Sequence, residues 1–142
     1  MGKKRIVKKG GEDSARGVAS SARGSRRKMD SGMLYVEATY NNTKLALTDV
    51  SGNVVSWSSA GSLGFAGAKK GTPFAAAKVG ELLGDKAAAM GVKEVSVVVS
   101  GVGAGRESSI RAFTTKGIHI SAIKDTTPVP HNGPRPPKAR RV

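Results

Sequence analysis

The sequence predicts an α/β domain, a mixed sheet with helices packed on it, carried between two flexible basic arms. Three observations predict it. Apolar residues alternate with polar ones from Leu34 onward and do so again in later short runs, the mark of half-buried strands. A helical apolar stripe with stop and start residues at both ends fills 72–90, and a Gly-rich strand-to-helix junction follows at 101–106. A strand meander followed by two helical crossovers implies a mixed sheet with helices laid on it.

The elements follow in chain order. Leu34, Val36, Ala38 and Tyr40 share one face of a first strand, with Tyr35, Glu37 and Thr39 on the other. Asn41-Asn42 reads as a tight hairpin turn, because Asn tolerates the left-handed backbone such turns demand. A second strand covers about 43–50, Ser51-Gly52 turns the chain, and a third covers 53–58. The Gly-rich stretch 58–71 then carries Lys69 and Lys70 near its end. Thr72 is a good N-cap and Pro73 suits the first helical position, so a helix runs from here to Met90 and stops at Gly91. Ala76, Val79, Leu83, Ala87 and Met90 form its apolar stripe. Gly80 and Gly84 lie one turn apart and each costs about 1 kcal/mol relative to Ala, a cost that close packing on the sheet would offset. A buried strand at 95–100, a loop from Gly101 to Gly105, a helix from Arg106 or Glu107 to Lys116 and a strand from Ile118 to Asp125 complete the domain.

The charge points to the partner. The 142 residues hold 24 Lys and Arg against 10 Asp and Glu, for a net charge of +14. Residues 1–31 carry +7, residues 32–125 carry +3 and residues 126–142 carry +4. A nearly balanced middle with basic ends suits a polyanion, nucleic acid before an acidic membrane surface. Residues 1–31 contain no aromatic residue and little aliphatic surface, so they read as a flexible arm. Residues 126–142 hold five of the six prolines and read as an extended tail that reaches roughly 50 Å at about 3.1 Å per residue. The chain has no Cys, which excludes a disulfide scaffold and a Cys-based zinc site, and no apolar run long enough for a signal peptide or a membrane span.

Enzymatic signatures are thin. The Gly101–Gly105 loop lacks the third glycine of a dinucleotide fingerprint, since that position is Arg106 or Ser108, and no phosphate-loop motif exists. His119 and His131 stand apart from any nucleophile motif, and the acids are scattered without paired spacing. Neither a cofactor, a metal nor a small-molecule substrate is expected. The loop still favours an anion: Gly103 and Gly105 allow backbone N–H groups near a phosphate, the next helix offers its positive end, and Arg106 and Arg111 add charge. The plainer alternative is a tight turn with Arg106 solvated. Tyr35, Tyr40 and Trp57 could stack on unpaired bases, with core or interface packing the simpler expectation.

The segments YNNT (40–43), SAGSLGFAGAKKGTPFAA (59–76), GAGRESSIRA (103–112) and DTTPVPHNGPRPPKARRV (125–142) resemble the family of small-subunit ribosomal protein eleven, bacterial type. The likeness runs in order from about Leu34 to Val142. Val102 and Ala104 stand where the family commonly has Pro, and Pro134 where bacterial members usually have Cys. The resemblance implies a ribonuclease H-like fold without catalytic carboxylates and a structural, non-enzymatic role in the small-subunit platform of cytoplasmic ribosomes. It implies contact with small-subunit ribosomal RNA near the exit-site messenger path, with small-subunit proteins seven, eighteen and twenty-one as neighbours. Expected RNA contacts are Asn41, Asn42, Lys69, Lys70, Gly103, Gly105, Arg106, Arg111, His131, Asn132, Arg135, Lys138, Arg140 and Arg141. A freestanding nucleic-acid chaperone or architectural protein is the alternative from another class, and an RNA-processing nuclease the enzymatic one.

Overall fold

The computed structural model describes residues 28–138. The elements run β1 (Ser31–Ala38), β2 (Thr43–Thr48), β3 (Val54–Ser59), a 3-10 turn (Gly67–Gly71), α1 (Pro73–Ala89), β4 (Glu94–Ser100), α2 (Gly105–Thr114) and β5 (His119–Asp125). They form one five-stranded sheet in the order β3-β2-β1-β4-β5. The meander pairs are antiparallel, while β4 runs parallel to both β1 and β5. Mixed sheet, helix count and element order agree with the sequence reading, and the topology is ribonuclease H-like.

Both crossovers, β3-α1-β4 and β4-α2-β5, step across the sheet in the same direction. Crossovers of this kind share one hand, so both helices land on the same face. Burial along the strands obeys that arrangement. In β1, Leu34, Val36 and Ala38 are buried while Met33, Tyr35 and Glu37 are not, and in β4 Val95, Val97 and Val99 alternate with Ser96, Val98 and Ser100. Register aligns the buried set across strands: Leu34 lies beside Leu47 and Val97, and Val36 beside Leu45 and Val99. Val79 and Leu83 of α1 and Phe113 of α2 close the core over them.

The long helix forms as its ends dictate. The Thr72 hydroxyl accepts from the Ala75 N–H at 3.3 Å, Pro73 opens the first turn, and Gly91 leaves the helix at φ +81°. Its two interior glycines, however, face α2 and not the sheet. A Cβ on Gly80 would collide with the Ser109 carbonyl and lie 3.1 Å from Ala112 Cβ, and one on Gly84 would lie 3.2 Å from the Phe113 carbonyl. Helix-to-helix approach is what these glycines permit.

Element boundaries also differ. The first strand ends at Ala38, so Tyr40 leaves the core face and stands 79% exposed in the turn. That turn is closed by Thr39, whose hydroxyl donates to the Asn42 carbonyl and accepts from the Asn42 N–H, both at 3.1 Å. Neither Asn41 nor Asn42 adopts positive φ. The second strand stops at Thr48 because the Asp49 carboxylate accepts from the Asn53 N–H at 2.9 Å and from its side-chain amide at 3.1 Å, pulling 49–53 into a turn. The second helix begins one or two residues earlier and ends two residues sooner than expected, at Gly105–Thr114.

Candidate nucleic-acid interface

A parallel pairing aligns strand ends. Because β1, β4 and β5 run parallel, Ala38, Ser100 and Asp125 all reach the same edge of the sheet, and β3 delivers Ser59 there as well. Everything that follows those strands therefore starts at this edge: the Thr39–Asn42 turn, the Gly101–Gly105 loop, and the C-terminal tail. Both helices also begin there, since a Cβ on Gly105 would lie 2.7 Å from Ala76 Cβ in the first turn of α1.

The turn between β1 and β2 is gripped from two sides. Gly103 donates its N–H to the Ala38 carbonyl at 2.8 Å, and any side chain on Gly103 would collide with the Thr39 carbonyl. On the other side, a side chain on Gly71 would collide with the Tyr40 carbonyl. Asn41 and Asn42 are thus held between the Gly101–Gly105 loop and the 3-10 turn that bears Lys69 and Lys70. Lys69 is exposed and Lys70 partly so. The Asn42 side-chain oxygen and the buried Thr43 hydroxyl have no hydrogen-bond partner at this junction.

Gly103 and Gly105 are both buried. Their lack of a side chain serves the close passage of residues 38–43 and Ala76, with Thr43 Oγ1 directly against Gly105. Arg106 is likewise engaged within the fold. Its guanidinium donates through Nη1 to the Gly101 carbonyl and, at 3.2 Å, to the Thr127 hydroxyl, and through Nη2 to the Asp125 carboxylate at 2.5 Å. Thr127 in turn donates its hydroxyl to Asp125 at 2.6 Å and its N–H at 2.9 Å. These Thr127 hydrogen bonds, with Arg106 beside them, hold the Asp125 carboxyl well below the ordinary carboxylate range.

Arg111 lies further along α2, exposed, with Glu107 3.4 Å away. His131, Asn132, Arg135 and Lys138 are exposed on a tail with no regular secondary structure, where Asn132 takes φ +57°. Arg140 and Arg141 lie outside the described residues, as do residues 1–27 of the basic arm. None of the three aromatics weighed for stacking is in the core: Tyr40 projects at the edge, while Tyr35 and Trp57 stand 39% and 61% exposed on the sheet face opposite the helices. Neither Asp125 nor Thr127 is among the RNA contacts expected from the sequence. Their signal was available locally, since Asp-Thr-Thr after a strand favours a turn in which the carboxylate captures the N–H two residues on. Among the described residues, no group of three His, Asp or Glu side chains could hold a metal ion.

Fold and edge define a class first: a small ribonuclease H-like α/β domain whose connections and basic tail gather at one end of the sheet. The model of the family described as Ribosomal protein S11 matches residues 32–141. The chain is also 54% identical over 117 residues to the small ribosomal subunit protein uS11 of Solibacter usitatus (strain Ellin6076), across 82% of this chain and 87% of that protein. The chain belongs to the ribosomal protein S11 family. It is accordingly a structural, non-enzymatic component of the small ribosomal subunit, acting in translation within the cytoplasmic ribosome.

Proposed function

We propose that the chain binds small-subunit ribosomal RNA through the edge where β1, β4 and β5 end, with the C-terminal tail extending that contact. One observation carries the reading: the Thr39–Asn42 turn, the Lys69-Lys70 turn, the starts of both helices and the root of an acid-free basic tail all converge there. The edge positions backbone and lysine groups on rigid elements, and the tail supplies Arg135, Lys138, Arg140 and Arg141 as phosphate contacts. In this reading residues 1–31 form an arm, 32–125 the wedge and 126–142 the tail. By family likeness the placement is the platform near the exit-site messenger path, beside small-subunit proteins seven, eighteen and twenty-one. The test is co-sedimentation of the chain with small subunits in high salt, combined with chemical footprinting of the RNA. Salt-resistant protection of one platform site is expected. Binding that washes away, or protection scattered over many sites, would replace the reading with that of a freestanding nucleic-acid chaperone.

A further inference from the structure

We infer that Arg106, Asp125 and Thr127 form a clamp that sets the direction in which the C-terminal tail leaves the fold, so that Arg106 acts as a positioning residue for RNA binding and not as a phosphate contact. The inference rests on the reading that the tail carries RNA contacts. The geometry joins the loop between β4 and α2 to a tail root about twenty residues further on. Arg106 lies in the first turn of α2, Gly101 begins the loop that follows β4, and Asp125 with Thr127 spans the point where β5 becomes tail. One guanidinium reaches all three, through the Gly101 carbonyl, the Asp125 carboxylate and the Thr127 hydroxyl.

The clamp holds the tail root at backbone level too. The Thr126 N–H donates to the Val99 carbonyl at 2.8 Å, which extends the parallel pairing by one residue. The Thr127 N–H then turns to the Asp125 carboxylate, ending that pairing and fixing the exit. Beyond it the described tail, through Lys138, has no regular secondary structure and stands exposed. A chain tethered at a fixed angle samples fewer misdirected placements than one free at its root, so less entropy is lost when it docks.

Two features argue against Arg106 serving a phosphate directly. Its charge is balanced by Asp125 at 2.5 Å, which leaves that corner near neutral, and three of its five N–H donors, both of Nη1's among them, are held by acceptors of the fold in the rigid fork that only arginine provides. A phosphate would have to displace a carboxylate that Thr127 also holds.

The test is a set of variants in the full chain, Thr127→Val, Thr127→Ser and Arg106→Lys, each made again in a chain lacking residues 135–142. Binding to small-subunit ribosomal RNA at fixed salt and thermal melting are measured for all of them. In the full chain, Thr127→Val and Arg106→Lys should each weaken binding about 5- to 10-fold, the scale of one lost or unpaired hydrogen bond, with the same small drop in melting temperature in the full and the shortened chain. Thr127→Ser keeps the hydroxyl and should bind as the parent does. In the shortened chain, Thr127→Val and Arg106→Lys should have no further effect, because the element they aim is gone. Equal losses with and without the tail would overturn the clamp and return Arg106 to the RNA surface. If the tail deletion weakens binding but the substitutions in the full chain do not, the clamp alone fails. If the deletion itself leaves affinity unchanged, the underlying reading of the tail fails with it.

Discussion

Arg106 and Arg135 show how differently one residue type behaves in two regions of the molecule. Arg106 sits half-buried at the edge of the sheet, its charge matched by Asp125 and its donors shared among Gly101, Asp125 and Thr127. Arg135 stands exposed on a segment with no acid from Thr126 to Val142. The lesson is that a count of positive charges overstates what the sheet edge leaves unpaired, whereas the tail has no acid of its own to offset its cations. Core and tail consequently break in different ways, the first through packing and the second through electrostatics.

The largest effect belongs to the core. Gly105→Val places a branched side chain against Thr43 Oγ1 and the methyl of Ala76, with no flexible neighbour to yield. A loss of about 2 to 3 kcal/mol of stability is expected from overpacking at such a site, read in denaturant unfolding. If Gly105 instead leaves room for a phosphate, as the sequence pattern allows, the same substitution acts by blocking backbone approach to that anion. Unchanged unfolding with weakened RNA binding would favour the phosphate reading and dissolve the contrast between core and tail.

Next comes the tail. Deleting residues 135–142 removes Arg135, Lys138, Arg140 and Arg141. The plot of log affinity against log salt should flatten by about 3, allowing roughly 0.7 to 0.9 per phosphate contact. Deleting 1–31 should cost less slope per charge, since Glu12, Asp13 and Asp30 lie among its cations. A salt titration of the parent and the two shortened chains decides the matter, and an unchanged slope after the C-terminal deletion would shift the binding surface to the edge loops.

A smaller, purely local effect distinguishes the clamp from an exposed turn. Thr127 first, and Arg106 second, hold the pKa of the Asp125 carboxyl below the ordinary 3.8. A carboxyl whose pKa is depressed by folding stabilises the fold above its unfolded value and loses that contribution as pH falls through the folded one. The Thr127 amide resonance should therefore stay fixed from pH 7 down to about 4 and move only in stronger acid. A midpoint near 4 in a proton NMR titration would mean that the carboxylate is not held.

How much of this the sequence disclosed depends on the range of the interaction. Thr72, Pro73 and Gly91 act on their immediate neighbours, so both ends of the long helix were legible. The alternation of Leu34, Val36 and Ala38 likewise marks the strand and its buried face. What escaped was set from a distance or by a competing local bond. Gly80 and Gly84 announced close packing, but which surface they approach depends on where α2 falls after the crossover. Asn41-Asn42 has the composition of a two-residue turn, yet the Thr39 hydroxyl captures Asn42 and makes a different one. Arg106 and Asp125 lie nineteen positions apart and meet only because β4 and β5 pair in parallel. Asn41 and Lys69 lie in the connections where the sequence placed them, whereas the convergence of those connections at one edge needed the sheet order.

The smallest effect is expected at Arg111, and it tests the comparison from its weakest side. Arg111 is exposed on α2, one turn beyond Glu107, and the pair is 3.4 Å apart with both side chains largely in solvent. An exposed ion pair of this spacing is worth about 0.3 to 0.5 kcal/mol and is screened by salt. Arg111→Ala should thus lower stability by no more than about 0.5 kcal/mol. The consequence for RNA follows from the same pairing. Glu107 offsets the charge that a phosphate would use, so the salt slope should change by less than about 1. Removing the acid instead sharpens the point: Glu107→Gln frees Arg111 and should leave the slope unchanged or slightly steeper. If Arg111→Ala flattens the slope by a full contact while Glu107→Gln steepens it, α2 faces RNA along its exposed side. The basic surface would then extend beyond the edge and tail, and the division between a packed core and an electrostatic tail would have to be redrawn along that helix.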